Sequence, residues 1–120
     1  MVVSWPAKIK DNGGIRPQFT HLIDVFPTIL EASHIPAPKV VEGIEQKPMD
    51  GVSFLSTFTS AEAPEVRETQ YFEVFSNRAI YDKGWMASAQ HTFPWRQDYA
   101  PGNWEKDKWE LYDLTKDYSQ

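Results

Sequence analysis

The sequence predicts an α+β fold, in which one main helix accompanies a small antiparallel sheet of about three strands plus an N-terminal strand. Two observations predict this class. Apolar residues recur at helical spacing within residues 19–30, whereas the second half holds short aromatic and β-branched runs separated by turn residues. A length of 120 residues with 41% hydrophobic and 24% charged side chains is typical of a globular chain with a modest core.

The first predicted element is a short strand at residues 2–5, where Val-Val-Ser-Trp precedes Pro6. Its β-branched and aromatic side chains favour extended backbone, and the proline ends the strand because it cannot donate a ladder hydrogen bond. The run Asp-Asn-Gly-Gly follows at residues 11–14. Glycine and asparagine tolerate positive φ, so this run predicts a loop.

The main helix is predicted to end near Ser33. Its apolar face comprises Phe19, Leu22, Ile23, Phe26, Ile29 and Leu30. A proline inside a helix removes a backbone hydrogen bond, so Pro27 belongs in the first turn and Asp24 is the predicted N-cap. Pro36 follows the helix closely and prevents its continuation.

A long connector is predicted at residues 36–51, which contain three prolines and two glycines. Residues 52–58 carry enough apolar side chains for a short helical turn, and residues 59–64 are a second break. A structureless connector of this length is uncommon inside a compact domain. It indicates that these segments pack on something outside the 120 residues.

The second half of the chain is predicted to form the sheet. Residues 71–75 are aromatic and β-branched, as in a strand. Residues 78–81 and 85–90 flank Asp-Lys-Gly and predict a β-hairpin. A long loop then leads to a last alternating strand at residues 109–114.

Composition argues against several classes of function. The net charge is −5 without a strongly basic stretch, which argues against a nucleic-acid partner. The chain has no cysteine, which excludes disulfides and a thiolate nucleophile within it. It has no apolar run near the 18 residues of a membrane span, and its first residues do not resemble a signal peptide, so we expect no membrane partner.

Six motifs follow one another along the chain. They are Val-Ser-Trp-Pro-Ala-Lys at residues 3–8, the helical run 19–30, Asp-Gly-Val-Ser at 50–53, Asn-Arg-Ala-Ile-Tyr at 77–81, Gly-Trp at 84–85 and Trp-Glu-Leu-Tyr-Asp-Leu at 109–114. In this order they resemble the C-terminal third of type I sulfatases, with the closest similarity to bacterial arylsulfatases of the alkaline-phosphatase-like superfamily. The resemblance implies that residues 1–64 are the end of the large sulfatase α/β domain. Residues 65–120 would then be an incomplete C-terminal sheet subdomain without its closing helix.

The resemblance also implies a nucleophile and a metal that this chain does not supply. Complete family members use calcium and a formylglycine made from Cys or Ser in a Cys/Ser-x-Pro-x-Arg motif. The run that begins at Ser4 ends in Lys8 instead of Arg, and Asp11-Asn12 lies in a glycine-rich loop with no second acidic cluster nearby. We therefore expect no catalytic residue, no metal ligand and no cofactor in this chain, and no activity from it alone.

Two residues are predicted to contact substrate in the complete enzyme. His91 follows the predicted hairpin, in a region that borders the substrate cleft of related sulfatases, and an imidazole there can donate to a sulfate ester. Trp95, with Trp104, offers an aromatic rim for an aryl or sugar group. The competing interpretations are a surface histidine and loop packing. His21 and His34 are interpreted as structural residues near the helix ends.

The expected partner is the missing N-terminal sulfatase domain or another copy of this chain. A helix severed from its sheet exposes apolar area, so we expect a homo-oligomer. The alternative function is a non-catalytic glycan-binding or oligomerising module. The preferred sulfate ester stays open, as does the compartment, since the family is often periplasmic, secreted or lysosomal.

Overall fold

The computed structural model describes residues 1–93, 95 and 103–119. They form two compact units, Met1–Arg67 and Glu68–Gln120. The first unit contains the main helix and the second contains a four-stranded antiparallel sheet, so the predicted α+β class is confirmed. Within the described part of the chain, no helix is long and apolar enough to cross a membrane.

No strand forms at residues 2–5, where one was predicted. Trp5 instead begins a turn, because its carbonyl oxygen accepts from the backbone N–H groups of Lys8 and Ile9, each at 2.9 Å. The Trp5 ring packs edge-on against Phe58, with ring centres 6.2 Å apart. A strand requires a neighbour for its backbone hydrogen bonds, and the described residues of this unit offer none to this segment.

Helix α1 spans Val25–Ala32 and follows a 3-10 turn at Leu22–Asp24. The predicted start is confirmed, since Asp24 is the N-cap position and Pro27 is the third helical residue. The predicted role of the Asp24 side chain is wrong, because it makes no capping bond to α1. Its backbone is already helical, and the carboxylate instead accepts from the His21 backbone N–H at 2.8 Å, which closes the preceding turn.

A Schellman arrangement ends α1 at Ser33, as the closely following prolines predict. The Ile35 backbone N–H donates to the Leu30 carbonyl at 2.9 Å, and His34 donates to Glu31 at 3.1 Å. His34 occupies the left-handed position of this motif with φ 56°. Glycine is the usual residue there, so the sequence contains little indication of this cap.

The buried centre of the first unit lies between α1 and a 3-10 turn at Leu55–Phe58. The aromatic side chains Phe54 and Phe58 are buried there, with ring centres 5.9 Å apart. Thr28 is buried beside them, where its hydroxyl accepts from the Phe54 N–H at 3.1 Å and donates to the Asp24 carbonyl at 2.6 Å. Helix and turn are therefore joined by a polar bond as well as by apolar contact.

The predicted connector contains a small hairpin that sequence reasoning missed. Strands β1, Val40–Val41, and β2, Ile44–Glu45, pair antiparallel around Glu42 and Gly43. Both turn residues have positive φ, 51° and 81°, as a two-residue hairpin of the I′ type requires. Two-residue strands are too short for the alternation by which strands are identified in a sequence.

The second unit is a meander of four strands in the order β3-β4-β5-β6. The strands are β3 Thr69–Val74, β4 Asn77–Asp82, β5 Trp85–Ala89 and β6 Trp109–Asp113. The predicted hairpin is confirmed, because Asp82 pairs with Trp85 across Lys83 and Gly84. The four strands correspond to the four strand-like runs predicted in this half of the chain, and a tight turn at Phe75 and Ser76 joins β3 to β4.

Register places Arg78 of β4, Ala89 of β5 and Trp109 of β6 in one row across the sheet. Successive side chains alternate between faces, so these three lie on the same face. The row lies at the end of the sheet where β5 finishes and β6 begins. This end positions the candidate site.

Candidate functional site

His91 is fixed to the sheet by the first residue of β4. The side-chain oxygen of Asn77 accepts from the backbone N–H of His91 at 2.9 Å and from that of Thr92 at 3.1 Å. Both N–H groups follow the end of β5, where the ladder no longer supplies them with acceptors. Asn77 thus holds the chain in place just where the imidazole leaves the backbone.

The His91 imidazole is oriented by Asp107. Its Nδ1 lies 2.9 Å from Asp107 Oδ1 and 3.1 Å from Oδ2, and its ring lies against Trp104, with ring centres 5.1 Å apart. The side chain is 1% exposed and that of Asp107 is 8% exposed. Facing a carboxylate, Nδ1 carries a proton, which leaves Nε2 as the nitrogen available for other chemistry.

Arg78 completes the group. Its Nη2 donates to Asp107 Oδ2, and its guanidinium carbon lies 4.8 Å from the Trp104 ring centre and 5.4 Å from that of Trp109. A guanidinium stacks well on indole faces, both by cation–π attraction and by planar contact. We call His91, Asp107, Arg78, Trp104 and Trp109 the His91 cluster.

Arg78 pairs with Asp107, although the sequence of the strands also suggests an ion pair across the sheet with Asp113 or Glu110 of β6. Register places Trp109 in the row of Arg78, and Asp113 lies opposite Trp85 near the other end of the strands. Asp113 pairs instead with Lys116 at 2.9 Å. Asp107 reaches Arg78 because it lies two residues before Trp109, on extended backbone and so on the same face.

Asp107 carries the negative charge of the cluster. The hydrogen bond from His91 holds the pKa of the Asp107 carboxyl below its usual range, and the positive charges of His91 and Arg78 act in the same direction against burial. Asp107 is therefore ionised at neutral pH. A single carboxylate thus forms hydrogen bonds with two basic side chains.

Two nitrogens of the His91 cluster remain without a partner. Arg78 Nε and His91 Nε2 are both buried, and neither has a hydrogen-bond partner in the described part of the chain. Buried polar atoms are nearly always hydrogen-bonded, so each exception requires an explanation. Chemically, the cluster offers one donor fixed in place and one imidazole nitrogen that donates or accepts with its protonation state.

Trp95 is placed differently from Trp104. Its ring packs against Phe93 with centres 5.5 Å apart, and it is 77% exposed. Trp104 is the tryptophan of the long loop that contacts His91. Residues 94 and 96–102 of this loop lie outside the described residues, and a substrate contact by Trp95 stays a prediction.

The two motifs of the first unit that resemble catalytic motifs, the run from Ser4 and the pair Asp11-Asn12, have other roles in the structure. Ser4 precedes the turn at Trp5. Both oxygens of Asp11 accept from Arg16, at 2.7 and 2.8 Å, and Arg16 Nε also donates to the Thr57 carbonyl. A carboxylate engaged in this way does not fit a calcium site, which needs several converging free oxygens. Among residues 1–93, 95 and 103–119, no three His, Cys, Asp or Glu side chains are grouped as metal ligands.

The other two histidines have structural positions. The His21 ring accepts from the Ile23 backbone N–H at 3.4 Å at the start of the 3-10 turn. His34 occupies the left-handed position after α1. Sequence reasoning missed the partnership of Asp107 with His91. The one indication in the sequence is the continuation of the alternation of β6 back from Trp109 to Asp107.

Comparison with known proteins finds similarity to sulfatases. The family model for the C-terminal region of N-sulphoglucosamine sulphohydrolase matches residues 1–120. An uncharacterized sulfatase of Schizosaccharomyces pombe is 29% identical over 119 residues, which cover 97% of this chain and 19% of that protein. The chain thus spans about a fifth of the length of this relative. The resemblance seen in the six motifs is confirmed as a likeness to the C-terminal portion of sulfatases.

Proposed function

Because the chain belongs to the N-sulphoglucosamine sulphohydrolase C-terminal family, we propose that it is the C-terminal part of a sulfuric ester hydrolase and is inactive by itself. In the complete enzyme it supplies a wall of the substrate cleft. The observation that carries this role is the orientation of His91 by Asp107 beside the Arg78 guanidinium. Such a preorganised polar group is suited to recognition of a charged ester.

The chemistry is supplied by other parts of the complete enzyme. The sequence has no cysteine from which formylglycine could be made. The alternative precursor, Ser4, begins a run that ends in Lys8, and the nearest carboxylate, Asp11, is held by Arg16. Calcium and formylglycine, which the family resemblance implies, are therefore assigned to residues outside this chain.

Activity assays on the purified 120-residue chain test the inactivity. We expect no hydrolysis of aryl sulfates with or without added calcium, because neither a nucleophile nor a set of metal ligands is assigned to these residues. A full-length sulfatase provides the positive control. Metal-dependent turnover by the chain alone, at a rate that follows its concentration, contradicts this part of the proposal.

The role of His91 is tested by His91→Ala in the full-length enzyme that carries this region. Loss of a positioned imidazole lowers kcat/KM by about 100-fold, the lower bound for general acid–base groups. The matched control is His34→Asn, which removes an exposed histidine whose left-handed backbone asparagine tolerates. Unchanged kcat/KM in the His91 variant rejects the role.

A second proposed role is assembly through the first unit. A groove of about 500 Å³ there is lined mainly by apolar side chains, among them Val3, Trp5, Ile29, Phe54 and Phe58. The relative is about five times as long as the matched region. We infer that another part of the full-length sulfatase fills this groove, and that copies of the isolated chain cover it by self-association. Light scattering over a dilution series tests the latter, and a constant monomer mass contradicts it.

A glycan-binding role has one observation in its favour. Register places Tyr71, Trp85, Trp109 and Leu111 on one face of the sheet, and all four are substantially exposed. Exposed aromatic rings are suited to stacking on sugar faces. Titration of the chain with sulfated oligosaccharides tests this role, and a flat response rejects it.

A further inference from the structure

The Asp107 carboxylate is fully engaged within the His91 cluster. Oδ1 accepts from His91 Nδ1, and Oδ2 accepts from Arg78 Nη2 and lies 3.1 Å from the same His91 nitrogen. Asp107 thus orients both basic side chains, but Arg78 Nε and His91 Nε2 stay without a hydrogen-bond partner among the described residues.

The hydrogen-bonding capacity of these two unpartnered nitrogens determines which ligand atoms they can bind. Arginine Nε always carries hydrogen, so Arg78 requires an acceptor. A buried N–H without an acceptor is destabilising, because it has lost its hydrogen bonds to water without replacement. His91 Nε2 accepts when the ring is neutral and donates when it is protonated, since Nδ1 already carries a proton. With the ring protonated, the cluster holds two positive charges, one negative charge and two free donors.

We propose that Arg78 Nε and His91 Nε2 bind an oxygen of a sulfate or carboxylate group, with Asp107 as their positioning residue. This inference deepens the proposed function, on which its biological meaning rests, by naming Arg78 and an anionic ligand. Both nitrogens are buried, so the anion reaches them beside the Arg78 side chain, which is 17% exposed. The exposed rings of Trp104 and Trp109 border this approach. An ordered water is the competing occupant.

The stacked indoles explain the preference for an anion. Trp104 and Trp109 lie against the guanidinium, whose side chain is 17% exposed, so water screens weakly the part of its charge that Asp107 does not neutralise. An anionic oxygen gains from both a charge-assisted hydrogen bond and this weak screening. A water molecule gains only the hydrogen bond.

Binding is tested on the 120-residue chain by titration with sodium sulfate, with sodium glucuronate in parallel, at constant ionic strength maintained with chloride. Tryptophan fluorescence and the His91 ring resonances report occupancy. We expect saturable changes, because a charge-assisted hydrogen bond from Arg78 Nε to the anion replaces the missing acceptor. The arm with the lower dissociation constant identifies sulfate or carboxylate as the natural group.

Variants connect binding to the named atoms. Arg78→Lys keeps the charge but removes Nε, and we expect about tenfold weaker binding. Asp107→Asn removes the carboxylate that positions both basic side chains, and we expect weaker binding. Arg16→Lys, at an arginine paired with Asp11 in the first unit, is the matched control and leaves binding unchanged. Amide spectra verify that each variant is folded, and His91→Gln replaces any that is not.

The possible results separate this inference from the proposed function. Flat or linear titrations with both anions overturn the inference and assign the two nitrogens to water. Saturable binding that Arg78→Lys and His91→Gln leave unchanged also overturns it, since another surface then holds the anion. Binding at the named atoms combined with unchanged kcat/KM in the full-length His91 variant sustains the inference and rejects the catalytic-cleft role.

Discussion

Asp24 is the residue on which the first unit most depends. Its carboxylate is 0% exposed and accepts from the backbone N–H groups of His21 and Val52 and from two nitrogens of Arg67, at 2.6–3.0 Å. Arg67 also donates to the Asp50 carbonyl at 2.9 Å. One side chain thus joins the start of α1 to two segments that lie 28 and 43 residues further along the chain.

Replacement of Asp24 by asparagine tests this dependence. The variant leaves the Arg67 guanidinium, 10% exposed, without its counter-charge, and loss of one partner of a buried pair costs about 3–5 kcal/mol. We expect the free energy of unfolding from urea titration at pH 7 to fall by this amount. Asp11→Asn, at the more exposed pair with Arg16, is the control and costs about 0–1 kcal/mol.

The pair of Asp24 and Arg67 also predicts how the destabilisation caused by Asp24→Asn depends on pH. Burial acts to raise the pKa of the Asp24 carboxyl, but the bonds from Arg67, Val52 and His21 outweigh it, and the pKa lies below its usual range. The carboxylate therefore stabilises the folded chain above the unfolded-state pKa of about 3.9, and this stabilisation is lost as the pH falls through the lower folded-state pKa. The difference between wild type and Asp24→Asn thus narrows below about pH 4. A constant difference down to pH 3 contradicts this assignment.

Helix α1 shows at the scale of one element why an amphipathic pattern does not identify the surface it packs against. Leu22, Phe26 and Ile29 belong to the predicted apolar face, yet each is more than half exposed. The buried residue of α1 is Thr28, which bonds to the turn at Leu55–Phe58. The apolar face of the helix is thus left for another surface, in agreement with the proposed assembly.

The turn between β3 and β4 is the most strained described hairpin. Phe75 and Ser76 have φ of 50° and 69°, values that favour glycine and asparagine. The left-handed region costs roughly 1–2 kcal/mol for a residue with a Cβ atom. The turn at Lys83 and Gly84 places a glycine at its second position and so avoids half of this cost.

Replacement of Phe75-Ser76 by Asn-Gly is expected to stabilise the chain by about 1 kcal/mol, because both residues adopt positive φ with less strain. The midpoint of thermal unfolding measures the change. Phe75→Leu keeps a bulky Cβ-bearing residue in the turn and serves as the control, with no gain. A lower midpoint for Asn-Gly would show that the exposed Phe75 ring stabilises the fold more than its backbone strain weakens it.

At the scale of the whole molecule, each of the two units is stabilised by a different kind of interaction within it. The first is held by the Asp24 bonds and a small aromatic centre around Phe54 and Phe58, and the second by three pairs of antiparallel strands. Much apolar surface of the first unit stays exposed. A protein rarely leaves such a surface bare, so the assembly proposal belongs to this scale.

Ile29→Glu tests the assembly surface. It places a charge in the apolar groove, so we expect the self-association of the isolated chain to weaken at least tenfold, as measured by analytical ultracentrifugation. Ile15→Glu is the matched control, since Ile15 is more exposed and does not line the groove. Equal loss of association in both variants shows that the effect comes from net charge and contradicts a role of the groove.

The sequence by itself determined the features that depend on neighbouring residues. The start of α1 follows from Pro27 and the hairpin from Lys83-Gly84, because proline and glycine restrict backbone torsions locally. The order of six motifs determined the family, since a family is recorded in residue types along the chain. The place of His91 after that hairpin made it a candidate for substrate contact, and this role stays a prediction.

Only the tertiary structure decided which side chains meet. Asp107 lies 16 residues from His91 and 29 from Arg78, and Asp24 lies 43 from Arg67. These separations leave no periodic trace, because strand register and loop closure bring the groups together. The strand expected at residues 2–5 does not form for the same reason, since backbone pairing requires a neighbour. Local torsion can thus be inferred from sequence, whereas partnership between distant groups depends on the folded chain.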